Sequence, residues 1–237
     1  QRPTGQLSGI APAAGWGYNH YCGPVEDIGL FELTGQVWNF TGDFRIVEKF
    51  YSNMKRSIEY NVSRSHDGIN KYGLGGDWYM SDPSKSSPPE LTSTAVFYYN
   101  LNWFRQFAEI IDSDDLKWCD AIRQEVKEGF LRHFRNSDGF YISDGMTANA
   151  TAIYYGFDTS PALIEHLRDL AKSVNYKAVF GCNGAKIVPR VLAEYGHADE
   201  AFQIFTQTEF PGWGNWILRG ATTLWEAWDG RDSQTHV

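Results

Sequence analysis

Apolar residues in this chain recur at spacings of three and four, with short polar breaks between the runs. That rhythm leaves little room for a sheet. After SSPPE, residues Leu91, Ala95, Tyr98, Leu101, Phe104, Ala108 and Ile111 draw one stripe along a helix. Ser87 can cap its first turn, and the prolines suit an entry where their missing N–H groups would be orphans anyway. Asp114 opens a second helix, whose stripe is Leu116, Cys119, Ile122, Val126, Phe130 and Phe134, and the turn NSDG closes it. The same device repeats along the chain. Residues 24–41 and 43–63 pair across Gly42-Asp43. A short helix near 147–156 precedes Ser160-Pro161 and a helix through 175. Residues 184–195 pair with 198–208 across Tyr195-Gly196-His197. The reading is about eight helices in consecutive αα-hairpins with no strict internal period, hence an all-α fold.

The segments between these helices are too rich in Gly, Trp and Tyr to be plain connectors. They are PAAGWGYNHYCG (12–23), DGINKYGLGGDWYMSDPSKSSPP (67–89) and EFPGWGNWILRGATTLWEAWDG (209–230). Consecutive αα-hairpins arranged in a ring place alternate loops at one end, where long loops share a cleft and carry function. The chain holds 9 Trp, 13 Tyr and 15 Phe. Most of these rings belong in a core, but a surplus of Trp also suits a cleft in which flat rings stack on sugars.

Charge and cysteine usage exclude several classes. A net charge of −8 without any Lys/Arg-rich run argues against a nucleic-acid partner. No apolar stretch reaches the roughly 18 residues of a membrane span. Cys22, Cys119 and Cys182 stand far apart, so at most one disulfide can form, and metal-site spacing is absent. QRPTGQLSGIAP lacks the basic start and apolar block of a signal peptide. Sequons at Asn39, Asn61 and Asn149 are the feature that points to a secreted, extracellular protein.

Three loops set carboxylates beside aromatics: Asp77-Trp78 in GGDW, Glu226 in TLWEAW, and Glu26-Asp27 after Trp16. Inverting hydrolysis of a glycoside needs two carboxyl groups about 6.5–9.5 Å apart, one protonating the leaving oxygen and one activating water. A carboxylate partly desolvated by tryptophan rings is a better proton acceptor, which gives a reason for Glu226 to sit between Trp225 and Trp228. The plain alternative is that Glu226 starts or ends a helix with the rings packed below it. Asp77 likewise admits a plain role as a turn cap.

The stretch GCNGAKIVPRVLAEYGHADEAFQIFTQTEFPGWGNWILRGATTLWEAWDG resembles the C-terminal part of the catalytic domain in glycoside hydrolase family 78, the α-L-rhamnosidases. GWGYN is similar to the family's GWGDA-like loop, YGLGGDW to its GDW loop, and TANATAIYYG to its Q-T-A-N-A helix, all in the same order. The resemblance implies an (α/α)₆ toroid built of consecutive αα-hairpins and no metal or organic cofactor. It makes Glu226 the general base that activates water in an inverting hydrolysis. Trp16, Trp78 and Trp225 would line the sugar pocket, with Trp78 facing the ring and Asp77 as a pocket or supporting carboxylate. His236 in DSQTHV matches a histidine that hydrogen-bonds the sugar. The implied partner is a rhamnose-containing glycoside or polysaccharide.

Two departures qualify the match. Tyr18 stands where the family's loop commonly has a carboxylate. The acidic motif that carries the family's general acid has no counterpart in the chain. With about eight helices against the twelve of a complete (α/α)₆ barrel, residues 1–237 read as a single, partial catalytic domain. Its remainder, including the acid, is expected as an additional segment. Two other readings stay open: a lyase of the same architecture acting on a rhamnosyl-uronate polysaccharide, and a non-catalytic rhamnoside-binding remnant.

Overall fold

The computed structural model describes residues 1–13, 17–18, 22–73, 75–78 and 80–230. Nine α-helices follow one another among these: α1 (Pro24–Thr41), α2 (Arg45–Arg64), α3 (Pro89–Ile110), α4 (Leu116–Phe134), α5 (Met146–Tyr154), α6 (Pro161–Ser173), α7 (Cys182–Glu194), α8 (Ala198–Thr206) and α9 (Trp213–Leu218). Single 3₁₀ turns form at Pro83–Lys85 and Ile142–Asp144. Extended pairing among the described residues is limited to the isolated bridges His66–Ile69 and Arg135–Tyr141. No described helix is long and apolar enough to cross a membrane. Among the described residues no disulfide joins any of the three cysteines.

The chain divides into two compact units. Gln1–Gly75 with Pro89–His133 carries α1 to α4, and Gly76–Pro88 with Phe134–Val237 carries α5 to α9.

In the first unit α3 is the central element. Leu91, Ala95, Tyr98, Leu101, Phe104 and Ala108 are buried as the stripe requires, but so are Val96, Phe97, Trp103 and Phe107 on other faces. A helix apolar all round must be enclosed, and neighbours cover it. On α1, Gly35 lets the buried Trp103 ring come so close that any Cβ would overlap it. On α4, the Cys119 thiol reaches the Leu101 carbonyl at 3.5 Å, and Asp120 accepts from Arg105 at 3.0 Å. The prediction for Ser87 is corrected: its Oγ is buried with no hydrogen-bond partner among the described residues. The helix begins at Pro89, so Pro88 occupies the capping position, and a residue preceding a proline is held extended, off the helix.

In the second unit α5 plays the central part, with Met146 through Ile153 all buried. α7 turns Ile187, Val188, Val191 and Leu192 inward, and α8 adds Ala201 and Ile204. The short α9 was not legible as a helix, because GWGNWIL has glycines at its start and no second turn of apolar repeat. Two of the three sequons are interior. Asn61 donates to Asp27 and to the Ser57 carbonyl, while Asn149 donates to the Gly145 carbonyl and accepts from the Tyr141 N–H. Neither can carry a glycan in the fold, and Asn39 is the exposed one.

A carboxyl group ties α1 to α2. Asp27 is 2% exposed and accepts from Ser57 Oγ at 2.8 Å and Asn61 Nδ2 at 2.7 Å. Burial pushes the Asp27 carboxyl up to about 7, although both hydrogen bonds favour the charged form. Between about pH 4 and pH 7 the unfolded chain therefore ionises at this position while the folded chain keeps its proton. Stability is fully present below pH 4, falls across that window by roughly 4 kcal/mol at most, and then levels off. Asp27→Asn removes the dependence. Urea midpoints measured for both proteins from pH 4 to pH 8 should show the variant gaining on the native chain up to neutrality. A gap that stays constant with pH would contradict this.

Candidate active site

The second unit holds a cavity of about 450 Å³, within the usual range for small-molecule sites. Its lining comes from three sequence regions: Trp78, the start of α7, and the aromatic segment from Phe205 to Trp228. Of the residues singled out in the sequence, Trp78, Trp225 and Glu226 meet at this cavity. Asp77 lies directly beneath it. Trp16 and His236 lie outside the described residues.

Asp77 holds the floor. Its carboxylate is 5% exposed and accepts from Thr147 Oγ1 and from the Gly184 N–H at 3.1 Å, with support from the Gly181 and Asn183 N–H groups. These are the donors that the N-terminus of α7 leaves without partners, and its own N-cap, Gly181, has no side chain to satisfy them. Asp77 thus caps α7 from a distant loop. Burial pushes its carboxyl above the usual carboxylate range, against the pull of those hydrogen bonds from Gly181, Thr147, Gly184 and Asn183. The tether continues on either side: Asn183 Nδ2 donates to the Gly76 carbonyl, and the Cys182 N–H donates to the Trp78 carbonyl at 3.1 Å. The two strands of backbone approach so closely that a Cβ on Gly181 would collide with the Trp78 carbonyl oxygen. The outcome is a fixed Trp78, 41% exposed, at the rim of the cavity.

Most of the remaining lining is a cluster of indoles. Trp216 and Trp228 lie 4.7 Å apart, Trp213 and Trp228 5.1 Å, and Trp216 and Trp225 5.8 Å between ring centroids. The two buried N–H groups are satisfied, Trp216 Nε1 by the Trp228 carbonyl at 2.8 Å and Trp228 Nε1 by the Phe180 carbonyl at 2.5 Å. Arg219 sits over the Trp225 ring at 5.0 Å. Residues 221–230, after α9, form no helix. Glu226 therefore neither starts nor ends one, and the plain alternative for it does not hold. It is half-buried, on a backbone pinned on both sides by packed tryptophans.

Several lining residues were not picked out in the sequence. Cys182, Ala185 and Lys186 share one face of α7, opposite its apolar stripe, and a helical projection from the GCNG start would have shown them. Partial burial, then the charges of Asp77 and Glu226, push the Cys182 thiol up, so it stays neutral. Trp213 and Trp216 were visible as aromatics but gave no sign of which cavity they would face.

Comparison with known proteins shows the family and the fold. The family model described as bacterial alpha-L-rhamnosidase 6 hairpin glycosidase domain matches residues 1–237. An alpha-L-rhamnosidase of Alteromonas sp. (strain LOR) is 26% identical, over 83% of this chain and 23% of its own length. One from Streptomyces avermitilis is 25% identical, over 97% of this chain and 22% of its own. Among solved structures, an alpha-L-rhamnosidase from Dictyoglumus thermophilum superposes with a TM-score of 0.87 at 25% identity, covering 99% of this chain and 27% of that one. The Streptomyces avermitilis alpha-L-rhamnosidase complexed with L-rhamnose gives 0.85 at 23% identity, covering 99% and 23%. The chain spans about a quarter of the length of these relatives. The all-α, six-hairpin (α/α)₆ class read from the sequence is the class of these structures.

The tether at Asp77 has a measurable consequence. Asp77→Asn removes the charge at the α7 N-terminus and turns an amide donor toward other donors. We expect a loss of about 1–3 kcal/mol in unfolding free energy and an altered tryptophan near-ultraviolet spectrum as Trp78 loosens. An Asp77→Asn protein with native stability and spectrum would show that α7 is capped in another way.

Proposed function

Because the chain belongs to the bacterial α-L-rhamnosidase six-hairpin glycosidase domain family, we propose that its aromatic cavity receives a terminal α-L-rhamnose and that Glu226 is the general base of an inverting hydrolysis. One observation carries the residue assignment: among the residues lining the cavity, Glu226 is the carboxylate, and packed indoles hold its backbone in place. L-Rhamnose bears a methyl where most hexoses bear a hydroxymethyl group. A cavity walled by Trp78, Trp213, Trp216, Trp225 and Trp228 suits such a sugar, since its apolar edge loses little on leaving water.

In this reading a water stands between Glu226 and the anomeric carbon. Glu226 takes a proton from it as oxygen attacks, and the bond to the glycosidic oxygen breaks on the opposite face of the ring. That oxygen must receive a proton from a second carboxyl group about 6.5–9.5 Å away. Asp77 is not that acid. It is buried under the cavity and its oxygens are occupied by Thr147 and the α7 backbone. The acid is assigned to a segment of the catalytic domain beyond this chain. The single family match over residues 1–237 supports treating both units as parts of that one domain.

The test is turnover of nitrophenyl α-L-rhamnoside by the full-length protein, with the product followed by proton NMR. Glu226→Gln should lower kcat by about 10²–10⁴-fold, the usual scale of general-base catalysis, with the fold intact. The first rhamnose released should be the β-anomer. Retained activity in the variant, or an α-anomer appearing first, would refute the assignment.

A further inference from the structure

One charged residue in the cavity has no part in the hydrolysis just described. Lys186 lines the wall from α7, one turn after Cys182 and on the same face. It is the cation among the lining residues, Glu226 is the anion, and the other ten are uncharged. Lys186 forms no salt bridge or hydrogen bond among the described residues, whereas Lys55, Lys172 and Lys177 each pair with a carboxylate.

An open cavity lets water solvate this ammonium group. Lys186 is exposed, so a sugar in the cavity covers part of its hydration shell, and an ammonium left unpaired beside the ligand is then penalised. The penalty vanishes if the ligand brings an anion of its own. Glu226 must be charged to accept a proton, and the chain carries a net charge of −8. An acidic ligand would be repelled here unless a positive group faced it. The cavity is also larger than one deoxyhexose ring requires, leaving space for part of a second residue.

Resting on the rhamnosidase reading, we propose that Lys186 is a specificity determinant that pairs with the carboxylate of a uronate to which the rhamnose is linked. A neutral rhamnoside leaves the ammonium unmatched, and a rhamnosyl-uronate satisfies it. Neutral and acidic forms of one ligand are thereby separated by a single contact.

Calorimetric titration of the full-length chain carrying Glu226→Gln tests this without turnover. The probes are a rhamnosyl-uronic acid disaccharide and its methyl ester, which differ in charge and by one methyl group. The acid should bind about ten-fold more tightly than the ester at low salt, the scale of one charge-assisted hydrogen bond. That preference should shrink as salt is added, disappear on adding Lys186→Gln, and survive Lys186→Arg. Equal binding of acid and ester, or an acid preference that Lys186→Gln leaves intact, overturns the proposal. A fall of equal size for both probes does the same, since it marks a contact blind to charge. Failure of the rhamnosidase reading is seen separately, as no rhamnose release by the unsubstituted chain.

Discussion

The cavity depends on one buried carboxylate. α7 starts at a glycine cap, so its first N–H groups have no local partner, and Asp77 supplies one from more than a hundred residues earlier in the chain. The same contact fixes what lies on either side of it. Trp78 follows Asp77 directly, and the Cys182 face of α7 begins where the carboxylate docks. A free loop end and a frayed helix end become a single rigid corner. Removing the carboxylate frees both, which is why a residue that does not line the cavity governs its floor.

The indole wall of the cavity is held for a different reason. Residues 221–230 have no regular structure of their own, yet Trp216, Trp225 and Trp228 pack into one cluster whose buried N–H groups close onto backbone carbonyls. Aromatic packing replaces the hydrogen-bond ladder that a helix or strand would have provided. Glu226 is carried on this segment, so its carboxylate is placed without being enclosed. The general-base role proposed for Glu226 needs that combination of fixed position and access.

Much of the fold is legible in the sequence because helix stripes are local. The stripes of α3 and α4 and the break at Gly42-Asp43 need only neighbours three and four residues away. The cap predicted at Ser87 failed because a proline intervened, a one-residue offset that periodicity does not resolve. Of the site, Trp78, Trp225 and Glu226 stood out as chemistry-bearing residues in glycine-rich loops, and the structure brings them together. What Asp77 does was not legible, since GGDW reads equally as a turn and its partners at Thr147 and Gly184 are remote in the chain. Nothing in the sequence sets Lys186 apart from other helix lysines, and it is the cavity that makes it distinctive. Contacts over long sequence separations are where reading by period and motif stops.

The central claim is that the aromatic cavity around Glu226 is where the sugar sits. A crystal structure of the full-length Glu226→Gln protein soaked with nitrophenyl α-L-rhamnoside tests it most directly. The rhamnose ring is expected against Trp78, with the substituted side chain separated from the anomeric carbon by a single water on the face away from the nitrophenyl oxygen. A ring bound elsewhere, or a side chain at 226 on the same face as the leaving oxygen, would contradict it.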